Sequence, residues 1–123
     1  MSQDIVADAL NQIMNIKRTG VDVIIIKKHS KLLRNILDIA KEAGYLDYSV
    51  EGRELKIEIK KLNEIKAIKP RYAFSIKRLD HYVRRFLPAK DFGFVIVSTN
   101  KGLMTHYEAK EKNLGGFLIA YVF

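Results

Sequence analysis

Apolar residues recur every three or four positions through Asp4–Lys17, at Ile5, Val6, Ala9, Leu10, Ile13 and Met14. That spacing puts them on one face of an amphipathic helix, and Gly20 can end it. The pattern then changes. Val21–Ile26 is a nearly unbroken β-branched run, VDVIII, which predicts a buried strand. Helical spacing returns at Leu32, Leu33, Ile36, Leu37, Ile39, Ala40 and Ala43, with Ser30 placed to cap the start and Gly44 to follow the end. Two strands follow, YLDYSV and ELKIEIKKL, around Glu51-Gly52-Arg53. In the second, Leu55, Ile57 and Ile59 alternate with Lys56, Glu58 and Lys60, so one face is dry and the other wet.

The second half is richer in strands. Asn63–Pro70 reads as a connector, because Pro70 disfavours helix before it. YAFSI alternates around Tyr72, Phe74 and Ile76, and Arg78–Phe86 fits either a strand or a short helix. Pro88 interrupts the chain, and Phe92–Val97 is an apolar strand. Thr105-His106-Tyr107-Glu108 has the form of a capping box, predicting a short helix over His106–Lys112 with His106 in its exposed first turn. Asn113 or Gly115 can end that helix, and the uncharged run Phe117–Phe123 predicts a final buried strand. The expected fold is α+β. An N-terminal α-β-α-β-β lobe over 1–63 packs against a strand-rich lobe with a short helix over 64–123, which holds most of the aromatics in its core.

Composition narrows the class. With 123 residues and 48% hydrophobic content, the chain can bury a substantial core. There is no cysteine, so disulfides and thiolate metal sites are excluded. No apolar run approaches the ~20 residues of a membrane-spanning helix, and the acidic start of MSQDIVADAL does not read as a secretory signal.

Charge changes the picture more. The formal balance is +8, and it is uneven: residues 1–63 hold 11 basic and 9 acidic side chains, and residues 64–123 hold 11 and 5. A basic half favours a polyanionic partner, with a solubilising surface charge as the alternative. The pairs Lys27-Lys28, Lys60-Lys61 and Arg84-Arg85, with Lys69, Arg71, Lys77 and Lys101, are available for phosphate contacts if folding gathers them.

Candidate chemistry concentrates in Ser98-Thr99-Asn100-Lys101-Gly102. Short hydroxyls, an amide and an ammonium can reach phosphates, 2′-hydroxyls and base edges without steric bulk. A polar turn that solvates a strand end explains the same residues, and the local sequence does not separate the two. Catalysis finds little support. His29, His81 and His106 show no metal-ligand spacing, so no metal site and no cofactor is expected. Ser98 or Thr99 with His106 and Asp91 can be written as a triad, but no nucleophile-elbow pattern surrounds the serine. Gly115-Gly116 matches no phosphate fingerprint and is simply read as a tight backbone approach before the last strand.

The segment VSTNKGLMTHYEAKEKNLGGFLIAYVF closely resembles the C-terminal signature of the eighth-protein family of the small ribosomal subunit. DIVADALNQIMN and HSKLLRNIL resemble that family's first two helices. KPRYAF and RRFLPAKDFG resemble its archaeal and eukaryotic branch. The resemblance implies two α+β lobes and a non-enzymatic role as a cytoplasmic, ribosome-bound protein. It implies a primary rRNA binder on the central domain of small-subunit rRNA, beside neighbouring ribosomal proteins, with no membrane and no small-molecule substrate. Residue by residue it implies that Ser98, Thr99, Asn100, Lys101 and Gly102 form the main RNA-contacting loop. It further implies that Gly115 and Gly116 support or contact the RNA, and that Ser30 and Lys31 meet a phosphate. Arg71 joins this set from the basic residues around KPRYAF. Two positions depart from the family pattern: Asn100 where serine is usual, and Phe117 where a polar or charged residue often stands. The rival readings are a non-ribosomal RNA-binding or regulatory module, an enzyme acting on nucleic acid, and a module that binds acidic proteins.

Overall fold

The computed structural model describes residues 5–69, 71–89 and 92–123. Asp4, Pro70 and Asp91, which figured in the readings above, lie outside the described residues. The chain divides into two compact units, Met1–Asn63 and Glu64–Phe123.

The first unit runs α1 (Ile5–Arg18), β1 (Val23–Ile26), α2 (Lys31–Glu42), β2 (Leu46–Glu51) and β3 (Glu54–Ile59). Its three strands form an antiparallel sheet in the order β1-β3-β2. The register pairs Ile24 with Ile57, Ile26 with Leu55 and Leu46 with Ile59, so the buried strand residues share one face. Helices α1 and α2 contact each other and the sheet. Leu10, Ile13, Leu33, Ile36 and Leu37 are fully buried, each worth about 1.5–3 kcal/mol of transfer free energy. One expectation is corrected: β1 is buried on one face only. Val23 and Ile25 are exposed, because this sheet carries helices on a single side and the alternate residues of its edge strand meet water.

The second unit runs β4 (Ile65–Ala67), β5 (Ala73–Phe74), a single 3-10 turn (Ile76–Arg78), α3 (Leu79–Phe86), β6 (Phe94–Thr99), β7 (Gly102–Thr105), α4 (His106–Lys112) and β8 (Gly116–Val122). The last strand organises the sheet. It pairs with β6 along one edge, while on its other edge β4 lies opposite Ala120–Val122 and β5 opposite Gly116 and Phe117. The core gathers Phe74, Leu79, Val95, Val97, Met104, Ala109 and Leu118.

Several expectations change here. The connector Asn63–Pro70 contains β4, with Ile65 and Ile68 buried. YAFSI is strand only at Ala73–Phe74, and Ile76 begins the 3-10 turn. The ambiguous stretch is helix α3, because Leu79, Val83 and Phe86 fall on one face and pack inward while Arg84 and Arg85 face water. Most aromatics of this unit do serve its core: Phe74 and Phe94 are buried, and Tyr72, Tyr82, Phe86, Tyr121 and Phe123 pack against the core, whereas Phe92, Tyr107 and Phe117 are exposed. Among the described residues, no helix is long and apolar enough to cross a membrane.

Candidate nucleic-acid interface

Ser98–Gly102 is the tip of a β-hairpin rather than a loop. Ser98 and Thr99 end β6, Asn100-Lys101 make the two-residue connection, and Gly102 begins β7 opposite Thr99. The short turn follows from its residues. The Thr99 hydroxyl accepts from the Lys101 amide at 3.1 Å and donates to the Gly102 carbonyl at 3.0 Å. Gly102 completes the reversal at φ +112°, a conformation that side-chain-bearing residues rarely adopt. Thr99 thus spends its hydroxyl on the turn. Among the described residues, the Ser98 hydroxyl and the Asn100 amide make no side-chain hydrogen bond, and both are free to recognise a partner.

The hairpin tip faces the start of β8. Ser98 lies directly opposite Phe117, and the two strands approach so closely that a Cβ on Gly116 would sit 1.9 Å from the Ser98 carbonyl oxygen. A Cβ on Gly115 would lie 3.0 Å from the Phe74 carbonyl. The expected reading of Gly115-Gly116 as a tight approach therefore holds. The result is an open concavity of about 510 Å³, with Ser98, Thr99 and Asn100 on one side and Gly115, Gly116 and Phe117 on the other. Asn113 and Leu114 complete its wall. Asn113 is the C-cap of α4, at φ 56° and ψ 48°. Among the described residues, no carboxylate lines the concavity.

The other candidates are placed elsewhere. Lys101 and Gly102 are exposed at the tip without lining the concavity, and Arg71 is exposed just ahead of β5. Ser30 and Lys31 belong to the first unit. The Ser30 hydroxyl accepts from the Leu33 amide at 3.2 Å as the N-cap of α2, and Lys31 is exposed as that helix's first residue. Not every cation is available. Lys41 is paired with Asp47 at 3.1 Å, and its ammonium, with the Tyr48 amide, holds the Asp47 carboxyl below its ordinary range. On α3, Asp80 is paired with Lys110 at 2.9 Å, while the Arg85 guanidinium lies 5.6 Å from the Tyr72 ring centre and 5.9 Å from that of Phe86.

His29 and His106 take structural parts. His106 is 4% exposed, which corrects its expected place in an open first turn. The Thr105 cap forms as read, accepting from the Glu108 amide at 3.3 Å, but the helix packs on β6 and turns the imidazole inward. There Nδ1 accepts from the Val95 amide at 3.0 Å. His29 Nδ1 accepts from Arg34 at 2.8 Å, leaving Nε2–H to donate to the Arg53 carbonyl at 3.0 Å. Among the described residues, no group of three His, Asp or Glu side chains is placed to hold a metal ion.

The model of the family described as ribosomal protein S8 matches residues 4–123. This chain belongs to the ribosomal protein S8 family. A relative in that family is similar along its whole length: the small ribosomal subunit protein uS8 of Nanoarchaeum equitans (strain Kin4-M) is 43% identical over 129 residues, covering 100% of both chains. The match agrees with the archaeal and eukaryotic branch read from KPRYAF and RRFLPAKDFG. The ribosomal protein S8 family is one of ribosomal structural proteins and not of enzymes. Sequence reasoning had singled out both sides of the concavity, but not Asn113 and Leu114 as its wall. The asparagine two residues before Gly115-Gly116 was the available signal, since it is the non-glycine residue most at ease in a left-handed cap.

Proposed function

We infer that this chain is a constituent of the small ribosomal subunit and a primary rRNA binder, holding the central domain of the small-subunit rRNA during early assembly. The observation that carries this reading is the single concavity joining Ser98, Thr99 and Asn100 to Gly115 and Gly116 on the strongly basic half of the chain. Its polar groups are short and uncharged. They suit the wide, shallow minor groove and irregular loops of RNA, where 2′-hydroxyls and base edges are within reach. Gly115 leaves its backbone exposed, so a sugar-phosphate chain can lie close to it. Lys101 and Arg71 add phosphate contacts beside this site, and Ser30 and Lys31 add one from the first unit. The charged residues supply affinity and the concavity supplies selection.

The test is binding to a central-domain rRNA fragment, compared with an unrelated structured RNA of equal length, across a salt series. Preference for the fragment is expected, with a logarithmic salt slope of about −0.7 to −0.9 per phosphate contacted. Ser98→Ala with Asn100→Ala removes two groups that the fold does not use and should reduce discrimination. Lys101→Ala should weaken binding to both RNAs alike and make the slope shallower by about 1. Equal affinity for both RNAs would sink the ribosomal reading and leave a general RNA-binding module.

A further inference from the structure

We propose that Phe117 is a stacking platform on which an unpaired RNA base lies while Ser98 and Asn100 read its edge. The inference rests on the RNA-binding reading above.

A lone exposed phenyl ring is common on protein surfaces and means little by itself. The neighbours of Phe117 give it meaning. Its side chain is 51% exposed. The other exposed rings of this unit are engaged: Phe92 packs on Phe123 with ring centres 5.8 Å apart, and Tyr107 lies 4.0 Å from the His106 ring and donates to the Gly93 carbonyl at 3.1 Å. Among the described residues Phe117 makes no ring contact. It stands in a row on the sheet, opposite Ala73 on one side and Ser98 on the other, with Leu103 beyond Ser98. Directly opposed residues in an antiparallel pair share a face, with Cβ atoms about 5 Å apart. Ala73 is exposed and small, so nothing bulky on that side shields the ring.

Chemistry selects the occupant. An aromatic on an open sheet face, flanked by short donors and acceptors, is how proteins hold splayed-out bases. A base in van der Waals contact with the ring, at about 3.5–4 Å, would bring its edge toward the Ser98 hydroxyl and the Asn100 amide. An acidic partner peptide would find no cation among the described lining residues, and a base needs none. Asn100 also fits this role, because its longer amide offers donor and acceptor together, as a base edge requires.

The chain has no tryptophan, so Phe117→Trp creates a sole indole reporter. Its fluorescence should be quenched by the central-domain rRNA fragment and by single-stranded oligoadenylate, and much less by a blunt duplex. Phe117→Ala should weaken fragment binding roughly 5- to 150-fold, which corresponds to ~1–3 kcal/mol for one stacked base. That loss should be the same at every salt concentration, because the ring is uncharged, and Phe117→Leu should not restore it. The ring is exposed, so circular dichroism and thermal melting should show each variant folded. If the wild type prefers the fragment but Phe117→Ala binds equally and the indole is not quenched, the platform is refuted and the ribosomal reading stands. Quenching by oligoadenylate without preference for the fragment refutes the ribosomal reading and keeps the platform. Neither preference nor quenching overturns both. A homodimer that dissociates on Phe117→Ala with RNA binding intact assigns the ring to self-association and overturns the platform.

Discussion

Gly116 has no room for a methyl group. Its missing Cβ is what lets β8 lie against the end of β6, since that atom would meet the Ser98 carbonyl oxygen at 1.9 Å and the Thr99 Cα at 3.2 Å. Backbone atoms cannot rotate aside as a flexible side chain can, so Gly116→Ala must push the strands apart. The expected cost is about 1–3 kcal/mol or more, read as a lower midpoint in urea denaturation, and an unchanged midpoint would contradict the close approach. Since the same shift widens the concavity, the variant should also lose RNA discrimination under conditions where it is still folded. His106 makes the complementary point. Beside Ser98 and Thr99 it looked like a candidate base, yet its Nδ1 serves the Val95 amide inside the unit. A buried backbone N–H needs a partner, and this imidazole supplies it.

Helix α2 joins stability to the proposed interface. Ser30 is extended at φ −130° and ψ 169°, and its hydroxyl takes the Leu33 amide while Leu33, Ile36, Leu37 and Ala40 bury one stripe. Ser30→Ala should cost about 1 kcal/mol, the ordinary loss for a removed N-cap. Ser30→Asp keeps a cap acceptor and should hold the thermal midpoint near that of the wild type, but it puts a negative charge beside Lys31. Weaker RNA binding by this stable variant is the expected result if Ser30 and Lys31 face a phosphate. Wild-type binding would remove these two residues from the interface. The β6–β7 hairpin works differently. Its tip is held by one threonine hydroxyl and one glycine, so its recognition groups are presented on a short, stiff support.

At the scale of the whole molecule, each unit contains a tyrosine whose phenol donates to a carboxylate. Tyr48 donates to Asp38, and Tyr121 donates to Glu64 at 3.1 Å. Burial first, and then the hydrogen bond to the carboxylate and its charge, push both phenols up from 10.0 to about 12. The fold keeps a proton that the unfolded chain releases near pH 10. This stabilisation is therefore complete below about pH 10 and is lost as pH rises toward 12. Denaturation midpoints over that range should fall, and Tyr48→Phe and Tyr121→Phe should each make the fall shallower. An identical decline in the phenylalanine variants would remove both pairs as its cause. At working pH the same molecule carries +8, with the excess in its second half, so affinity for RNA should depend steeply on salt.

Sequence spacing was enough to reveal α1, α2 and α4, because apolar periodicity and caps such as Ser30 and Thr105 act within four residues of chain. The β2–β3 hairpin was legible for the same local reason, an alternating pattern on either side of a glycine turn. Strands β4 and β7 were not. They have three and four residues and exist because β8 and β6 offer them edges, as when Ile65 pairs with Val122 far along the chain. Residue types and motif resemblance singled out Ser98–Gly102 and Gly115-Gly116 separately. Folding put Ser98, Thr99 and Asn100 in one concavity with Gly115 and Gly116, turned His106 inward and left Phe117 open to solvent. Burial and cross-strand neighbours belong to pairs of residues distant in sequence, so no local pattern encodes them, and it is those pairs that turned a polar stretch into a shaped surface.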